Sequence, residues 1–98
     1  MLHTIACTAL QKKKCLELRY DGFTRVVEAH AVGVKKDGTE AMRVWQIRGG
    51  SVSGERTGFK LLDLDETFSA HMTDEQSHAP RFGYKHGDKA LNPIYCQL

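Results

Sequence analysis

Four basic side chains, Arg25, Arg43, Arg48 and Lys60, and two aromatic ones, Tyr20 and Trp45, are the residues whose types and spacing best suit the capture of a ligand. Guanidinium groups carry planar donors that meet a phosphate two at a time in charge-assisted contacts. Aromatic rings offer a base a face to stack on, worth ~1 to 3 kcal/mol per base in single-strand binders. Gathered on one curved surface, the six would form an anion-binding concavity with stacking platforms. The same residues admit a plainer reading. The arginines then lie on a solvated strand face, with Arg25 paired to Glu28 or Arg19 to Glu17, and Trp45 belongs to the core.

Other chemistry has less support. Residues 49–58, GGSVSGERTG, could turn successive backbone N–H groups toward an anion, but no Lys-Ser/Thr follows the glycines, so this is not a P-loop. A mobile hairpin loop is the simpler description. His71, His78, His86 and Cys96 follow one another at intervals of seven, eight and ten residues, which matches no compact metal knuckle. No metal or other cofactor is expected. Cys7 or Cys15 as a nucleophile would need a base and an orienting group, and no local signature surrounds either. A hydrolase or nuclease built on His30 or His86 lacks an acid–base pair at diagnostic spacing, so the chain reads as non-enzymatic.

The elements that must position these residues are short and mostly extended. Ile5, Ala9 and Leu10 recur at helical spacing ahead of Lys12, Lys13 and Lys14, which predicts an amphipathic helix over 3–13. From Cys15 the period becomes two, with Leu16, Leu18 and Tyr20 on one side, and Asp21-Gly22 supplies a turn. The run 24–36 alternates Val26, Glu28, His30, Val32 and Val34 against Arg25, Val27, Ala29 and Ala31, with Gly33 suggesting a bend. Asp37-Gly38 is the clearest hairpin signal and leads into a third strand over 40–48. Phe59 to Leu64 and Phe68 to Met72 follow as strands, and Ile94 to Leu98 as an alternating terminal segment that could pair. The fold class is mainly β: a small, strongly curved five-stranded sheet or partly open barrel of Sm or SH3 type, with a short N-terminal helix and a C-terminal arm. One domain covers 1–98, with the helix in 1–14, barrel strands in 15–72, and the arm and last strand in 73–98.

Composition sets the outer limits. The chain has 98 residues, with 41% apolar and 27% charged, which is one ordinary globule. Its net charge of +2 excludes the strongly basic class of non-specific nucleic-acid binders. The distribution is uneven: residues 1–49 hold nine Lys/Arg against five Asp/Glu, a balance of +4, and residues 50–98 hold five against seven, a balance of −2. No run is long and apolar enough for a membrane span, and the first ten residues lack a signal peptide's basic start and apolar core. Three cysteines leave an odd thiol, so reduced, buried cysteines in the cytoplasm are the expectation.

The order of several segments resembles the WYL domain family, the bacterial Sm-like ligand-binding domains. The segments are the leading helix, LELRYDG at 16–22, RVVEAHAVGV at 25–34, the hairpin into MRVWQIRG at 42–49, and GFKLLDLDE at 58–66. Tyr20, Arg25, Glu28 and Trp45 fall where that family's pattern has a tyrosine, an arginine, an acidic residue and an aromatic. Val44-Trp45-Gln46 stands in place of Trp-Tyr-Leu, and Ala29 in place of a proline. The resemblance implies a stand-alone sensor that binds a nucleic-acid or nucleotide ligand and regulates transcription or phage defence. The expected partners are a single-stranded nucleic acid or nucleotide and, in the alternative, a protein or a second copy docked on the barrel edge and arm. In the arm, Arg81, Lys85 and Lys89 interleave with Phe82 and Tyr84, which suits either nucleic-acid binding or a strap across the chain's own barrel.

Overall fold

A computed structural model describes residues 2–98. Helix α1 (Leu2–Lys12) buries Ala6, Ala9 and Leu10 on one stripe, and the two alanines let the helix lie close on the sheet. Lys13 adopts a left-handed conformation, φ 56°, that ends the helix and turns the chain into β1.

Six antiparallel strands follow: β1 (Lys14–Tyr20), β2 (Phe23–Val34), β3 (Glu40–Gly49), β4 (Gly58–Asp63), β5 (Thr67–Gln76) and β6 (Ile94–Gln97). A single 3₁₀ turn (Leu64–Glu66) joins β4 to β5. Their order is β4-β3-β2-β1-β5, with β6 added beside β2, and the sheet does not close. The strand count exceeds the expected five because β2, at twelve residues, serves two partners along one edge. It pairs with β1 over 23–27 and with β6 over 31–33. Both hairpin signals form. Asp21 and Gly22 have φ of 51° and 80°, the twist of a two-residue hairpin turn, and Gly38 takes φ 87° in the turn to β3.

β2 departs from the alternation in the sequence. Its register against β3 shifts between Val26 and Val27 and again between Ala29 and Ala31. An extra residue therefore sits at His30, and the faces exchange beyond it. Val27, Ala29 and Val32 join Met42, Val44 and Leu62 under α1 in the main core. Ala31 instead enters a second cluster with Ala41 and Leu91, flanked by Leu61, Tyr84 and Ile94. Met42 and Ala41, like Leu62 and Leu61, are strand neighbours, so the two clusters lie on opposite faces of the sheet. The predicted bend at Gly33 has another cause: a β-carbon there would collide with the Pro93 carbonyl oxygen, so glycine admits the returning chain.

β5 runs to Gln76, four residues past its expected end, and the irregular arm occupies 77–93. The arm straps its own sheet. Ser77 N–H donates to the Lys13 carbonyl, and Asn92 and Val34 exchange bonds with Val34 and Pro93 carbonyls at 2.7 and 3.0 Å. The cysteines differ from the expectation of reduced thiols: Cys7 of α1 and Cys96 of β6 form a disulfide across a sequence separation of 89, and Cys15 alone is free and buried. Residues so distant meet only because β6 returns to β2 beside the helix. Among the described residues no helix is long and apolar enough to cross a membrane.

Candidate functional site

β2 places two polar side chains in the interior, Glu28 by its alternation and His30 by the bulge, and the arm is built onto them. Glu28 has no solvent exposure. Its carboxylate accepts Arg81 Nε at 2.6 Å, an Arg81 terminal nitrogen at 3.1 Å, and His78 N–H at 2.6 Å. A carboxylate is buried at tolerable cost only when paired and bonded in this way. His30, also fully buried, receives the Arg81 backbone N–H on Nε2 at 2.9 Å. Since Nε2 accepts, the proton resides on Nδ1, which donates to the Glu28 carbonyl at 2.9 Å. Burial holds the His30 pKa below the ordinary histidine value and keeps the ring neutral. Nε2 thus seats the arm, and Nδ1 ties the ring to its own strand.

Under the arm runs a row of rings. Phe59 meets Trp45 edge-on, with centroids 4.9 Å apart, and His30 at 5.3 Å. His30 also faces Tyr84 at 5.0 Å, and the Arg81 guanidinium lies 5.5 Å above Trp45. Beside this row opens a cleft of about 430 Å³, with Arg43 and Phe59 on the sheet side and residues 83–89 as its other wall. That volume is within the range of small-ligand sites. Arg43 Nε contacts Asp88 Oδ2 at 2.6 Å, and a second bond of 3.4 Å completes the fork. The guanidinium bond holds the Asp88 carboxyl below its usual pKa. Lys85 and Lys89 line the cleft, are exposed, and enter no ion pair among the described residues. Three cations against one carboxylate, over an aromatic floor, favour an anionic ligand that carries a ring.

The strand residues singled out in the sequence do not converge. Arg43 lines the cleft, and Trp45, two positions on, shares its face of β3. Lys60 pairs with Val44 while Arg43 pairs with Leu61, so Lys60 projects from the opposite face. Its ammonium meets the hydroxyls of Ser51 at 3.2 Å and Ser53 at 3.5 Å in the glycine-serine loop. Arg48 forks onto Glu75 at 2.6 and 3.1 Å on the exterior. Arg25 is 3% exposed. It stacks on the rings of Tyr20 and Phe23 at 5.2 and 5.8 Å and bonds Gln46 at 3.3 Å. The pairings imagined for a solvated face are absent too: Glu28 takes Arg81 rather than Arg25, and Glu17 faces His71 at 3.3 Å.

The interleaved basic and aromatic residues of the arm are the sequence signal for this cleft, whereas Phe59 looked like any core residue of a strand. Among the described residues no three His, Cys, Asp or Glu side chains gather as a metal site. Burial, aided by Glu75 and Glu28, pushes the Cys15 thiol up to about 11, far from a thiolate nucleophile at neutral pH. No protein-family model, curated protein or solved structure matches the chain.

Proposed function

We propose that this chain is a non-enzymatic, WYL-like binding module of Sm or SH3 type that captures a phosphate-containing ligand, a nucleotide or a stretch of nucleic acid. The cleft between β3, β4 and the arm is its site. One observation carries this reading: Arg43, Lys85 and Lys89 surround a cavity floored by Phe59, and among its described lining residues Asp88 is the one acidic side chain. Of the six residues, Arg43 lines the cleft and Trp45 backs it through its edge contact with Phe59, while Tyr20, Arg25, Arg48 and Lys60 serve elsewhere. A bacterial regulator of transcription or defence that senses such a ligand is the biological setting that goes with it. In a cytoplasmic location the glutathione pool would keep Cys7 and Cys96 reduced except under oxidising conditions.

The test is binding of labelled mononucleotides and short single-stranded oligonucleotides, followed by anisotropy across a salt series. Affinity should fall with salt by a log–log slope of roughly −0.7 for each phosphate neutralised on a single strand. The double variant Lys85→Ala/Lys89→Ala should lose at least about tenfold, since two charge-assisted contacts go. Both lysines are exposed, so its thermal unfolding should match the parent. No binding at low salt, or equal binding by the double variant, rejects the proposal.

A second reading, a protein-interaction subunit or homodimer, draws on β5. That strand borders the sheet, pairs among the described residues with β1 alone, and exposes 63% of Phe68 and 38% of Met72. Light scattering that finds a dimer lost on Phe68→Ser would favour it. A strict monomer would remove the homodimer.

A further inference from the structure

Phe82, in the arm, is fully exposed, with a relative accessibility of 102%. A lone exposed apolar residue needs no explanation, but this one is held out by design of the backbone. The Tyr84 N–H donates to the Arg81 carbonyl at 3.1 Å, and Gly83 takes φ 95°. Together they close a four-residue turn with glycine at its third position and Phe82 at its second. Each end of the turn is fixed. Arg81 is bound through its side chain to Glu28 and through its backbone to His30, and Tyr84 packs against the Ala31, Ala41 and Leu91 cluster. The ring is therefore presented on a rigid mount, with little ordering left to offset when something stacks on it.

Its position names the kind of ligand. Gly83, the next residue, lines the cleft, whereas Phe82 does not. A ligand that uses both the cleft and the ring must extend past the cleft's lining. A duplex keeps its bases stacked and closed to a side chain, whereas a single strand offers them. Resting on the cleft reading above, we infer that Phe82 is a base-stacking residue and that the cleft takes a single-stranded nucleic acid. A backbone phosphate lies among Arg43, Lys85 and Lys89, and a neighbouring base lies on Phe82.

The experiment compares the intact protein with Phe82→Ala and Phe82→Trp against three probes: a short oligothymidylate, the same strand with abasic sites, and tripolyphosphate. Because the ring touches solvent on all sides, both variants keep the parent's unfolding curve. Phe82→Ala should weaken oligothymidylate binding roughly 5- to 140-fold, the equivalent of ~1 to 3 kcal/mol of stacking. It should leave tripolyphosphate and the abasic strand unchanged, and Phe82→Trp should restore binding of the oligothymidylate. Equal oligothymidylate binding by the parent and Phe82→Ala overturns the inference while the cleft reading stands. The same holds for a loss that extends equally to the abasic strand. A changed oligomeric state with unchanged oligonucleotide binding assigns Phe82 to a protein contact and overturns it too. No binding of any probe by the parent overturns the cleft reading and this inference with it.

Discussion

Glu28 and Arg81, 53 residues apart in sequence, form a two-pronged ion pair whose carboxylate is wholly shielded from water and whose guanidinium is the root of the arm. The pair fixes where the arm leaves β5 and, through it, where the cleft wall stands. Removing one partner strands a buried charge, at a typical cost of ~3 to 5 kcal/mol. Arg81→Ala should therefore destabilise by about that much in urea unfolding. The double variant Glu28→Gln/Arg81→Met, which leaves no orphaned charge, should recover a large part of it. A loss below about 1 kcal/mol for Arg81→Ala would show that the arm is not anchored here.

Asp88 occupies the Arg43 fork that a phosphate would use. Asp88→Asn should raise affinity for tripolyphosphate or oligonucleotide several-fold in calorimetry, because the ligand no longer competes with a resident carboxylate. Arg48→Ala is the control, since its exposed pair with Glu75 is worth ~0 to 1 kcal/mol, and binding should not change. The depressed pKa of Asp88 means that its contribution to stability is complete above the unfolded carboxyl value, about 3.9, and is lost as pH falls below it. Unchanged or weaker ligand binding by Asp88→Asn would count against competition at Arg43.

His30 gives stability a second pH dependence, higher on the scale. Burial lowers its pKa in the folded protein, so the unfolded chain binds more protons in the window below the ordinary histidine value of 6.5. Stability is complete above that value and declines as pH falls through the window toward the folded pKa. The charged groups facing the ring, Glu28 and Arg81, act in opposite directions and do not outweigh burial. Denaturant midpoints should fall between about pH 7.5 and pH 5, and His30→Gln should be less stable throughout but flatter in this range. An equally steep slope in His30→Gln would assign the titration to another group.

The three cysteines should be distinguishable by a thiol reagent. With Cys7 and Cys96 joined and Cys15 buried with a thiol pKa near 11, the folded, oxidised protein should be unreactive at neutral pH. Denaturation without reductant should expose one thiol, and denaturation with reductant all three. Reaction of a thiol in the folded, oxidised protein would contradict the burial of Cys15.

The periodicities of the sequence carried the helix, the strand positions and both hairpin turns, because each depends on neighbours a few residues apart. Val26 to Val32 escaped them. A period of two cannot announce the extra residue at His30, and one insertion exchanged the faces of Ala31 and Val32. The basic constellation failed for the same reason on β3 and β4: Arg43 and Lys60 are on adjacent strands yet on opposite faces, a matter of register that charge and spacing do not encode. Arg81, Asp88 and Cys96 acquire their partners only through the returning arm, from 45 to 89 residues away. The aromatic and basic alternation of that arm was visible, but whether it touched a ligand or its own sheet depended on two buried acceptors that read as ordinary members of β2.

The link between α1 and β6 turns residues 7–96 into a covalent ring. A protease that cuts once within the exposed glycine-serine stretch at 50–57 opens that ring to a line without parting it. The nicked molecule keeps both flanks of the sheet tethered and runs as one species until reductant is added. Two cuts are needed to release a piece of the ring, so the oxidised protein stays one covalent piece after a first strike in this loop, and the reduced protein does not.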